Sequence, residues 1–234
     1  MARQRRISPD GFVQHVLNRG DHRETVFHKP ADFRAFLALI AEAAFRVPMR
    51  ILAYCIMRNH FHLVVWPYQG IDLPAYMQLL MNLHIQRYLR HNPPGSPGHI
   101  YQGRYTNALI EGDHSLLRVM RYVEANALDA GIVHRAEQYK WSSASPHSSD
   151  PGRPTLVDGP LARPSDWLTF VNSTPSSEEV TRIQQSARRG APYGSEEWTK
   201  QVVRRYDLDH TIRPRGRPRV YETIVVDEDV RAGT

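Results

Sequence analysis

With 234 residues and 41% hydrophobic content, the chain has room for one sizeable core and an appendage rather than several large domains. Thirty Lys and Arg against 24 Asp and Glu leave a net charge of +6, which turns the expected partners toward polyanions such as nucleic acid. One cysteine, Cys55, excludes an internal disulfide, and the basic start "MARQRRISPDG" leads into no apolar signal segment. Nowhere do about 18 apolar residues run together, so membrane spanning is excluded and a reducing, cytoplasmic setting is expected.

In chain order, Phe12 to Leu17 alternates weakly and stops at Asn18-Arg19-Gly20, a strand and its turn. After Pro30, apolar residues at Phe33, Phe36, Leu37, Ile40, Ala41 and Ala44 define an amphipathic helix that ends before Pro48. "MRILAYCIM" and "HFHLVVW", separated by Arg58-Asn59, read as adjacent antiparallel strands at the centre of a sheet. Asp72 caps a second helix through Tyr76, Leu80, Leu83 and Tyr88 as far as "HNPPGSPG". A short strand in "HIYQGRYTNALI" follows, and Asp113 caps a third helix from Ser115 to about Asp129, stopped by Gly131. This order predicts an α+β fold, an antiparallel β-sheet sandwiched by α-helices.

Beyond about residue 145 the composition shifts to Ser, Pro, Gly and Asp, which divides the chain into 1–148 and an extension, 149–234. Within the extension, Ser176 with Glu179 opens one helix that ends by Gly190, and a second begins near Ser195 with Trp198, Val202 and Tyr206. The pair reads either as a DNA-binding helix-turn-helix or as two small packing helices. The final basic segment, "RPRGRPR", is too rich in proline for a helix. It reads as a solvated tail, or as a minor-groove arm carried by Arg213, Arg215 and Arg217.

The chemistry starts at "MRNHFHLVVW". Residues two apart on a strand share a face, roughly 7 Å apart, so His60 and His62 project together while Phe61, Leu63 and Val65 face the core. Two imidazoles so placed can share one divalent cation, or can be unrelated histidines facing solvent; the spacing leaves both open. On the third helix, Leu116, Val119, Met120, Val123 and Ala127 form the core stripe, with Tyr122 at its flank and Asn126 one turn further along. Arg118 and Arg121 lie nearby. His15, His22 and His28 match no ligand spacing, and with His84 they read as surface or satisfied core residues.

"NHFHLVVWP" resembles the histidine-hydrophobic-histidine motif of HUH nucleases, and "RYVEANALDAGIV" followed by "YKWSS" resembles the tyrosine-helix segment of single-tyrosine transposases. With "HVLNRGDHRETVF" and "GHIYQGRYTNALI", they make residues 10 to 145 similar to the REP-associated tyrosine transposases. "APYGSEEW" and "RPRGRPR" are similar to the C-terminal extension of some members.

The resemblance implies a ferredoxin- or RRM-like core and a metal-dependent single-strand DNA endonuclease and strand transferase. Tyr122 would be the nucleophile that forms a 5′-phosphotyrosine intermediate on hairpins of repeated extragenic palindromes. His60, His62 and Asn126 would hold Mg²⁺ or Mn²⁺, ligand preference favouring Mn²⁺. Members commonly carry Pro after the Asn, where this chain has Ala127; an unkinked helix to Asp129 is the expectation. Arg19, Arg58, Arg104 and Arg121 are candidate DNA contacts beside the matched motifs. The implied state is a monomer or homodimer associated with the nucleoid. A non-cleaving protein that binds the same palindromes, or a hydrolytic metallonuclease with Tyr122 as bystander, would show the same basic surface.

Overall fold

The computed structural model describes residues 6–91 and 99–213. Four strands, β1 (Val13–Arg19), β2 (Met49–Met57), β3 (His60–Pro67) and β4 (Thr106–Ile110), form one sheet in the order β2-β3-β1-β4. All three pairings are antiparallel. The two-residue turn at Arg58-Asn59 joins β2 to β3 as read from the sequence, but β2 lies at the edge and not at the centre. β1 inserts between β3 and β4, a long-range pairing that local patterning does not encode. The outer side of β2 is covered by later chain: Ser143 N donates to Tyr54 O (2.9 Å) and Val157 N to Ile51 O (3.0 Å). An open edge is thereby closed.

Helices α1 (Pro30–Arg46) and α2 (Asp72–His91) cover one face. Phe33, Phe36, Leu37 and Ile40 of α1 and Tyr76, Met77 and Leu80 of α2 bury Ile56, Phe61, Leu63 and Val65. His84 belongs to this side: the Tyr101 hydroxyl lies 2.8 Å from its Nδ1 among Phe27 and Phe36, a satisfied core histidine.

The opposite face carries Val13, Cys55, Met57 and Val64. It is covered by α3 (His114–Glu124), α4 (Asn126–Asp129), α5 (Trp167–Val171) and α6 (Ser177–Arg189). Leu52 and Ala53 both join this side because the register shifts between Ile51 and Ala53, a bulge that turns β2. Cys55 is fully buried here, and burial followed by the nearby Glu124 pushes its thiol far up, so it is inert.

Capping explains where the helices begin. The Asp113 carboxylate accepts from Ser115 N at 2.6 Å, Ser176 Oγ from Glu179 N at 3.1 Å, and Ser195 Oγ from Trp198 N at 3.3 Å at the start of α7 (Glu196–Tyr206). Gly190 ends α6 in the left-handed region at φ 68°, where a side chain would be strained. The tyrosine helix does not run unkinked to Asp129: it breaks at Ala125, so Tyr122 lies in the last turn of α3 and Asn126 opens α4.

The chain after residue 149 shares the core of the chain before it, since Trp167, Val171, Ile183 and Tyr193 pack with Val119 and Val123. α6 and α7 are packing helices, α7 setting Val202 and Val203 against Leu109. A short α8 (Asp209–Ile212) ends the described chain, so Arg215 and Arg217 lie outside the described residues. Among those residues no helix is long and apolar enough to cross a membrane.

Glu124, two residues past Tyr122, ties these layers together at 1% exposure. Its carboxylate accepts from Trp167 Nε1 (2.6 Å) and Ser143 Oγ (2.6 Å), and Arg163 lies at 3.3 Å. Burial raises its pKa despite these partners. Glu124→Ala leaves the buried Trp167 Nε1 without its acceptor and Arg163 without its carboxylate, while Ser143 Oγ keeps Tyr54 O, and a loss of about 3 kcal/mol in unfolding free energy is expected. Urea denaturation measures it; a loss below about 1 kcal/mol would show that α5 is not anchored this way.

Candidate nucleic-acid cleavage site

Strand register brings the histidines together. Pairing of β1 with β3 sets Arg19 opposite His60 and Leu17 opposite His62, so His15, Arg19, His60 and His62 share the face beneath α3. That face is not solvent: His62 is 2% exposed and His15 is equally buried. His60 and His62 have ring centroids 5.1 Å apart at 85°. The Tyr122 ring stands edge-on to both His62 (5.7 Å) and His15 (6.2 Å). Asn126 lies beside the His60 side chain, where its amide works against the downward shift that burial gives the ring. The four residues singled out in the sequence, Tyr122, His60, His62 and Asn126, thus meet at one place.

His15 was not singled out, yet its Nε2 lies 2.8 Å from His62 Nδ1 and the two rings stack at 5.0 Å. Its only local signal is a histidine inside an apolar strand; the partner is set by β1–β3 pairing. His60 Nδ1 sits 2.7 Å from Asn59 Oδ1. Each Nδ1 is therefore occupied by a neighbour, the arrangement in which outer-shell partners orient ligating imidazoles through the second ring nitrogen.

Burial dominates the electrostatics. It holds His15 and His60 each at about 4 and His62 well below its usual value of 6.5; the neighbouring cations add to this for His60 and His62. These rings are neutral at pH 7, the form that donates a lone pair to a metal. Burial also raises the Tyr122 phenol; Arg188 and Arg19 pull it down, and Asp129 and Cys55 push it up.

Between the folded value near 4 and the unfolded value of 6.5, the unfolded chain binds more protons at His15 and His60, and the same holds for His84, also at about 4. Their contribution to stability is complete above 6.5 and is lost as pH falls toward 4. In chelator, each histidine should remove about 1.4 kcal/mol per pH unit across that window. Unfolding followed from pH 7 to pH 4.5 tests this; a flat stability curve would contradict neutral burial.

Among the described residues no three His, Cys, Asp or Glu side chains form a metal cage. Two neutral imidazoles with the Asn126 amide would make a smaller open set, whose remaining positions water or a phosphate oxygen would fill, and donors of these types suit Mn²⁺ or Mg²⁺ in that order of ligand preference.

The arginines divide. Arg19 ends β1 with its Nε buried and without a hydrogen-bond partner among the described residues. With Arg104 and Arg213 it lines a groove of about 1330 Å³. Arg58 is exposed on the β2–β3 turn. Arg121 is a correction: it is 6% exposed, ion-paired to Glu179 of α6 and stacked on Phe170 at 4.7 Å, so it anchors the extension and does not face DNA.

Residues 11–126 match the family described as IS200-like transposases, a span that holds all four predicted site residues and His15. The matched span carries the whole four-stranded sheet and helices α1 to α3, and the chain belongs to the IS200-like transposase family. Among solved structures, one of a REP-associated tyrosine transposase bound to a REP hairpin shares the fold at a TM-score of 0.52 and 15% identity. The match covers 61% of this chain and 82% of that one. A structure of a candidate transposase from Deinococcus radiodurans R1 matches at a TM-score of 0.37 and 18% identity, covering 53% of this chain and 96% of that one. No curated protein matches the sequence. The resemblance to REP-associated tyrosine transposases read from the motifs is borne out.

Proposed function

We propose that the protein nicks and rejoins single-stranded DNA through Tyr122, acting beside hairpins of repeated palindromes. The observation that carries this reading is the Tyr122 ring standing edge-on to His62, which packs against His60, with the Nδ1 of each of these two histidines held by a neighbour. His60, His62 and Asn126 would hold the divalent ion. When bound, it would neutralise charge on the scissile phosphate and leave phosphorus open to attack.

The chain's own groups do the rest. Tyr122 Oη bonds to phosphorus as the bond to the 3′-oxygen breaks, and the phenolic proton passes in net to that oxygen. A 5′-phosphotyrosine and a free 3′-hydroxyl result. The phosphodiester energy is conserved, so a second 3′-hydroxyl can reverse the step and join strands. A phenol is protonated near neutral pH and burial raises this one further, so cations next to it are needed to favour phenolate; Arg19 has the required sign and place. Hairpin binding is the expectation drawn from the REP-hairpin-bound neighbour, through phosphates and shape.

The test incubates the protein with labelled single-stranded oligonucleotides carrying a hairpin, with Mn²⁺, and resolves the products on a denaturing protein gel. A covalent protein–DNA band is the expected result. Free fragments without such a band would favour water as nucleophile, and binding without either product would favour a protein that only grips the palindrome.

A further inference from the structure

We propose that Arg188 of α6, together with Arg19 of β1, grips the scissile phosphate beside Tyr122, so that the chain after residue 149 completes the reaction site. This rests on the proposed strand-transfer chemistry and deepens it. Val180 and Ile183 of α6 line the same small crevice as Tyr122. Arg188 follows one to two turns later on that helix, and it lines the large groove together with Arg19. The cation is felt at both Tyr122 and Arg19.

Three further observations point to an anionic occupant. Among the described residues no aspartate or glutamate lines the groove, whereas Arg23, Arg189 and Arg213 join Arg19 and Arg188 there. Arg19 holds its Nε buried and unbonded among the described residues, a donor whose satisfaction must come from a ligand or water. Arg118 and Arg121 are taken by Glu179, while Arg188 is exposed and enters no ion pair among the described residues. Like charges gathered without carboxylates repel one another, and a phosphate relieves that repulsion. The breadth of the groove suits a strand that continues past the reacting phosphate, with the arginines following its backbone.

A simpler role for Arg188 is to complement the C-terminal end of the α6 dipole. That role predicts a small stability change and no effect on chemistry. In single-turnover assays at saturating oligonucleotide, Arg188→Ala should slow covalent adduct formation roughly 100-fold, with the unfolding midpoint unchanged. Arg188→Lys, which keeps the charge and loses the fork, should recover part of the rate. In chelator, the slope of log affinity against log salt for the same oligonucleotide should fall by about one phosphate contact in Arg188→Ala. Arg46→Ala, whose side chain pairs with Glu42 on α1, should change neither readout.

A wild-type rate in Arg188→Ala, or an unchanged salt slope, would overturn the assignment while leaving the chemistry at Tyr122 intact. Absence of adduct from the wild-type protein would instead bring down the proposed function, and this inference with it.

Discussion

Tyr122→Phe is expected to abolish the covalent protein–DNA adduct while leaving hairpin binding and the unfolding midpoint unchanged. Phenylalanine keeps the ring that stands edge-on to His62 and His15 and removes only the hydroxyl. A loss of folding therefore cannot explain a loss of product. If the hydroxyl is the nucleophile, no other group replaces it, and the effect is complete rather than graded. Persistence of DNA fragments in the variant at the wild-type rate would assign the attack to water. The same gel distinguishes the two outcomes, since hydrolysis releases fragments that do not travel with the protein.

Replacing the strand histidines should have the next largest effect. His60→Ala is expected to lower the divalent-dependent adduct rate by at least roughly 100-fold, more than loss of a merely supporting partner costs. Hairpin affinity in chelator should stay within about threefold, because phosphate contacts made elsewhere carry it. His62→Ala removes a ring that is 2% exposed and bonded to His15, so it also leaves a buried nitrogen unpaired and a cavity. His60, which is only partly buried, is the cleaner probe, and a thermal scan on both variants separates the two costs. An unchanged Mn²⁺ dependence in His60→Ala would remove that residue from the ligand set.

Much of this was legible from local pattern. Period two set His60 and His62 on one face of β3, and that face is the one beneath α3. Asp113, Ser176 and Ser195 marked helix starts because each cap satisfies backbone donors by a short-range bond that sequence encodes directly. Long-range pairing was not legible. Insertion of β1 beside β3 moved β2 to the edge, and the same insertion brought His15 to His62 and Arg19 to His60.

The C-terminal helices illustrate the same divide. Ser176 and Gly190 predicted the limits of α6, but nothing in its composition says that Val180 and Ile183 come against Tyr122. Arg121 misled for a related reason. It is one residue from the tyrosine and looked poised for phosphate, yet the helix turns it toward Glu179, a partner 58 residues away in the chain. The break at Ala125 is likewise tertiary, for Ala itself favours a continuous helix.

The most direct measurement is mass spectrometry of the protein after reaction with a hairpin oligonucleotide bearing a single-stranded flank and Mn²⁺, followed by proteolysis. The account predicts one modified peptide, the one containing Tyr122, carrying the oligonucleotide portion on the 3′ side of the nick through its 5′-phosphate. Attachment at another residue, a 3′-linked adduct, or cleaved DNA with every peptide unmodified would contradict it.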